Sequence, residues 1–155
     1  MLKRQRVAVA VALLIIAIPV CAGARPKMGG PESAQKEIRA VLDNQVQAWN
    51  RGDLEGFMQG YWRSPSLTFF SGGTTVSGWE ETLGRYSKRY QGTGNEMGKL
   101  SFLDLNIELL GPSAAFVRGR FHLKMSSGES MGLFTLTFRK IGGAWKIIHD
   151  HTSTA

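Results

Sequence analysis

The sequence GGAWKIIHDHTSTA, residues 142–155, begins with a glycine pair and continues as an alternation of apolar and polar residues. Adjacent glycines ahead of such a run are the signature of a two-residue hairpin turn. The turn makes Ile141 the partner of Ala144. Counting back along SMGLFTLTFRK then sets Phe138 against Ile147, Leu136 against His149 and Phe134 against His151. Side chains two apart share a face of a strand, so Phe134, Leu136, Phe138, Trp145, Ile147, His149 and His151 are expected on one side. A slip of one residue would exchange the faces and put three phenylalanines in water.

Two earlier runs extend the same sheet. SAAFVRGRFHLKM alternates Val117, Phe121 and Leu123 against Arg118, Arg120, His122 and Lys124. The connection SSGE brings Phe121 near Phe134 and Val117 near Phe138. KLSFLDLNIELLG alternates Leu103, Leu105, Ile107 and Leu109 against Asp104, Asn106 and Glu108. Arg118, Arg120, His122, Thr135, Thr137, Arg139 and Asp150 are expected on the opposite, polar face. Two further short strands flank Gly72-Gly73 in SLTFFSGGTTVSG.

The remaining segments have helical spacing. Ile38, Val41, Leu42, Gln45, Ala48 and Trp49 form one stripe, which NRGD ends with Asn50 and Gly52. Asp53 can cap a short second helix whose Leu54, Phe57, Met58 and Tyr61 share a side. In GWEETLGRYSKRYQG the stripe is Trp79, Leu83, Tyr86 and Tyr90. The chain is therefore read as an α+β domain, residues 36–155, with helices covering one face of a mainly antiparallel sheet.

The chain starts differently. MLKRQR places Lys3, Arg4 and Arg6 before the apolar run Val7 to Val20, which is shorter than the roughly 20 residues a membrane-spanning helix needs. A basic start, a short apolar core and small residues at Ala22 and Ala24 describe a secretory signal peptide, residues 1–24. The protein is thus expected to be exported, periplasmic or secreted, without a membrane span. Acylation at Cys21, the single cysteine, is the disfavoured route, because branched Val20 precedes it. Residues 25–35, RPKMGGPESAQ, read as a flexible tether. Beyond the leader, 16 Lys and Arg face 12 Asp and Glu, a balance of about +4 with no basic run longer than two. Nucleic-acid binding would want a clustered patch and gets no support.

IRAVLDNQVQAWNRGDLEGFM, GWEETLGRY and GGAWKIIHDHTS, in this order, resemble the nuclear-transport-factor-2-like superfamily, and within it the SnoaL-like branch near the calmodulin-dependent kinase association domain. The likeness spans Ser33 to Thr154. It implies a cystatin-like roll: a curved sheet wraps three N-terminal helices into a cone with a pocket at its open end. Members commonly form homodimers through the outer sheet face. By this resemblance the mouth of the cone would be lined by Trp49, Tyr61, Trp62, Phe70, Trp79, Tyr86, Tyr90, His149 and His151. The superfamily contains ligand binders, isomerases, cyclases, dehydratases, hydrolases and association modules.

Three chemistries compete for the histidine pair. A zinc site needs about three protein ligands, and His122, the third histidine, falls on the other face, so no metal and no cofactor are expected. Imidazole titrates near neutrality, so His149 and His151 are candidate catalytic acid–base groups. They equally suit a pocket wall. The expectation is a domain that binds a small, partly apolar organic molecule; a cofactor-independent enzyme and a ligand-free association module are the alternatives.

Overall fold

The computed structural model describes residues 30–155. The leader, Cys21 and the first part of the expected tether lie outside the described residues. Helix α1, Pro31–Asn50, starts earlier than its apolar stripe suggests. Pro31 stands in its first turn, where a missing N–H leaves no intrahelical bond unmade, so residues 31–35 are helix rather than tether. Its buried stripe is Ile38, Leu42, Gln45, Ala48 and Trp49. Asp53 caps α2, Leu54–Met58, by accepting a hydrogen bond from the Gly56 N–H at 2.7 Å.

Strands β1, Thr68–Ser71, and β2, Thr74–Ser77, form the expected hairpin and lead into α3, Trp79–Tyr90. Then come β3, Lys99–Gly111, β4, Ala114–Met125, β5, Gly128–Ile141, and β6, Ala144–Thr154. Gly142 and Gly143 have φ of 57° and 86°, the left-handed pair that a two-residue hairpin requires. The six strands among the described residues make one sheet in the order β2-β1-β6-β5-β4-β3. The pairing is antiparallel except where β1 lies parallel to β6. The three helices fill the concave side, and their side chains meet Val117, Leu123, Phe134, Leu136, Phe138, Trp145 and Ile147 in a single core. Phe138, Ile38, Leu42 and Met58 are fully enclosed.

Two irregularities curve the sheet and change which residues face inward. In β5–β6, Ile141 pairs with Ala144 and Phe138 with Ile147 as expected, but Thr137 then pairs with His149. Ile148 is an extra residue, a β-bulge, and it reverses the alternation of everything after it. His149 and His151 consequently sit opposite Thr137 and Thr135 on the convex face, while Asp150 turns inward opposite Leu136. The expected pairing of His149 with Leu136 is thus corrected. In β3, a shift between Leu103 and Asn106, with Asp104 at φ 54°, carries Leu103 to the convex face opposite Arg120. Leu105, Ile107 and Leu109 stay packed on the core. Between β4 and β5, Val117 pairs with Leu136 and Ala115 with Phe138, two residues from the expected register and hence on the same face.

Candidate functional site

The helices do not fill the wide end of the cone. A cavity of about 100 Å³ remains between α1, α2, α3 and the inner faces of β1 and β3–β6. Its walls are Trp49, Phe57, Phe69, Tyr86, Tyr90, Phe102, Phe121 and Phe134, with Tyr61, Gln45, Asp150 and Thr152 as polar groups and Arg85 and Arg89 on the α3 side. The aromatic rings brace one another. Trp49 meets Phe57, Tyr86 and Tyr90 edge-on with centroids 5.0, 5.9 and 4.8 Å apart. Such pairs prefer edge-to-face contact and hold their orientation. The Trp49 indole N–H donates to the Met97 carbonyl at 2.7 Å, which fixes that ring as a wall.

Asp150 is the unusual member. The residue is 4% exposed, yet no cation pairs with it among the described residues. The Tyr61 hydroxyl donates to Oδ2 at 2.7 Å and the Thr152 hydroxyl to Oδ1 at 2.8 Å. Burial disfavours the charged form and pushes the Asp150 carboxyl up from 3.8 to about 6, against the two hydrogen bonds and the nearby His151, which hold it down. The same burial, with the Asp150 carboxylate beside them, raises the Tyr61 and Tyr86 phenols well above the ordinary tyrosine range. Both therefore stay protonated donors at neutral pH. A carboxyl that titrates near neutrality, beside two phenols in a cavity, can accept a proton, return it or fix a polar ligand.

The sequence-derived site residues divide. Trp49, Tyr61, Tyr86 and Tyr90 line the cavity. Trp62, Phe70, Trp79, His149 and His151 do not. Trp79 is buried beneath the Arg63 guanidinium, 4.5 Å from its ring, with its indole N–H on the Met58 carbonyl. Trp62 joins the sheet through its backbone N–H on the Ile147 carbonyl. The convex face carries the rest: His149 Nδ1 lies 2.7 Å from the Thr68 hydroxyl, and Phe70 meets the His149 and His151 rings at 4.9 and 6.2 Å. Partial burial, followed by the charge of His151, lowers the His149 pKa. His122 is also on this face, 2.8 Å from Glu129. Among the described residues, no three His, Cys, Asp or Glu side chains gather as a metal would need.

The SnoaL-like domain family matches residues 38–155. The chain belongs to this family. It is 40% identical to a nuclear-transport-factor-2-like protein of unknown function from Shewanella oneidensis, with 77% of this chain and 98% of that one covered and a TM-score of 0.73. A second such protein of unknown function, from Pseudomonas putida, is 20% identical over 81% of this chain and 89% of that one, with a TM-score of 0.66. A protein of unknown function from Nostoc punctiforme with a cystatin-like fold is 12% identical over 78% and 90%, with a TM-score of 0.63. The last two likenesses concern the fold alone. No curated protein matches the chain. Among the described residues, no helix is long and apolar enough to cross a membrane.

Asp150 is one of the site residues that sequence reasoning missed. Period-two counting put it on the outer face, and only the bulge at Ile148 reverses that. The signal available in the sequence was the pair Ile147-Ile148, two apolar residues in succession inside an alternating strand.

Proposed function

We propose that this SnoaL-like domain binds a small, partly apolar molecule in its cone, with a polar end of the ligand against Asp150, Tyr61 and Tyr86. The observation that carries the reading is the Asp150 carboxyl, buried at an aromatic cavity and hydrogen-bonded to Tyr61 and Thr152, with no compensating cation among the described residues. A structural group in a dry core would be better replaced by an apolar one. Here one side of the group opens on space that a ligand can fill. Native mass spectrometry of the gently purified protein tests it: a retained small organic mass, lost in Asp150→Asn, is expected. Tight binding is refuted by an empty cone in the parent protein.

A cofactor-independent enzyme is the second reading, favoured by one observation: the Asp150 carboxyl is raised to about 6, close to where a general base works best. In this reading Asp150 moves the proton and Tyr86 holds the developing oxyanion, the Tyr61 hydroxyl being given to Asp150. His149 and His151, on the convex face, take no part. The leader supports export, to be checked by an N-terminus at Arg25 on the mature protein. Exposed Leu103, Met131 and Leu133 on the convex face support a homodimer through that surface, checked by the subunit mass in the same spectra.

A further inference from the structure

The mouth of the cavity bears on the charge of what enters it. Eight arginines occur among the described residues. Five hold a carboxylate: Arg39 with Asp43, Arg51 with Asp53, Arg63 with Glu80, Arg118 with Glu108 and Arg120 with Asp104. Of the other three, Arg139 lies on the convex face, whereas Arg85 and Arg89 both line the cavity. The two stand one helical turn apart on α3, so they share a face of that helix.

Both rest against aromatic rings, and neither is neutralised by a carboxylate among the described residues. The Arg85 guanidinium carbon lies 5.7 Å from the centre of the Phe69 ring and that of Arg89 lies 5.4 Å from the Tyr90 ring. An aromatic face attracts the cation yet leaves its N–H donors free. Glu81, one turn before Arg85, makes no ion pair with it. Glu80 is engaged by Arg63, and Glu96 accepts from the backbone N–H and hydroxyl of Ser126. Asp150 is occupied by Tyr61 and Thr152. Two guanidiniums with unspent donors at the rim of an aromatic cavity match the two oxygens of a carboxylate.

We propose that the ligand is an organic carboxylate, its anionic end on Arg85 and Arg89 at the mouth and its apolar body among the aromatic rings, with a hydroxyl or N–H reaching Asp150. The inference rests on the reading of the cone as a ligand site and adds the charge and polarity of the occupant. A cavity of about 100 Å³ suits a body the size of one ring or a short chain.

The test uses three acid–amide pairs: 4-hydroxybenzoate with 4-hydroxybenzamide, cyclohexanecarboxylate with its carboxamide, and hexanoate with hexanamide. Each is titrated into the protein at low salt, by ligand-observed NMR and calorimetry. At least one acid is expected to bind about tenfold or more tightly than its amide, as a charge-assisted hydrogen bond provides. The double variant Arg85→Gln/Arg89→Gln brings acid affinity down to that of the amide and leaves the circular dichroism spectrum unchanged. Arg139→Gln changes neither. Equal binding of acids and amides, or an acid preference that survives the double variant, overturns the carboxylate while the cone remains a ligand site. Failure of all six probes to bind overturns both readings.

Discussion

Replacing Asp150 by asparagine isolates a single buried ionisation. The Asp150 carboxyl titrates at about 6 in the folded protein and near 3.8 when unfolded, so the folded state holds its proton more tightly. Stability from this group is fully present below the unfolded value and is lost as pH rises through the folded one. The difference of about two pKa units corresponds to about 3 kcal/mol. About 2 kcal/mol of it falls between pH 4.5 and 7, because the unfolded carboxyl is already mostly ionised at the lower pH. The side-chain amide in the Asp150→Asn variant keeps an oxygen for the Tyr61 hydroxyl and cannot ionise. Urea denaturation of both proteins at half-unit steps from pH 4.5 to 8 gives a difference in which the other titrating groups cancel. That difference is expected to move by about 2 kcal/mol in favour of the variant up to pH 7 and then level off. A difference that stays flat across the range, or moves the other way, refutes the argument that Asp150 is buried and unpaired by a cation.

Tyr61→Phe removes the donor to Asp150 Oδ2, so a loss of about 1–3 kcal/mol is expected, together with a carboxyl that titrates above 6, read from the Asp150 side-chain carbon by NMR. Gly60→Ala places a Cβ 2.6 Å from the Gln45 amide. Gln45 is buried and donates to the Phe57 carbonyl, so displacing it is expected to destabilise by about 1–3 kcal/mol in denaturant titrations. His149→Ala, by contrast, loses the Thr68 and Phe70 contacts on the convex face; about 1–2 kcal/mol of stability goes and the mass retained in the cone stays.

Much of the architecture was legible because burial repeats at the period of each element. The α1 stripe Ile38, Leu42, Gln45, Ala48 and Trp49 follows the helical repeat, and glycine pairs mark the β1–β2 and β5–β6 hairpins. The inner faces of β4 and β5 survive even a two-residue error in register, since an even shift conserves parity. The site was less legible because parity is all that period-two counting supplies. One inserted residue, Ile148, reverses it, and the residues beyond, His149 to Thr154, are polar on both faces. No apolar side chain there would have signalled the error. Trp79 was misplaced for another reason. At the first turn of α3 its ring buries against α2 and Arg63, and helical spacing alone does not tell a wall of the cavity from a wall behind it.

The parallel pairing of β1 with β6 joins Thr68 to His149 and Phe69 to Asp150, segments about eighty residues apart in the chain. During synthesis α1, α2 and the β1–β2 hairpin emerge early, but β1 has a neighbour on only one side until β6 is made. The apolar stripes of the helices wait for the same event, because Trp145 and Ile147 belong to that strand. Long-range pairing of this kind slows folding and leaves strand edges and apolar surface open in the interval. The segment that builds the candidate site is therefore also the one whose arrival completes the sheet, so a ribosome that stalls before β6 holds a chain with secondary structure but neither a closed core nor a cavity.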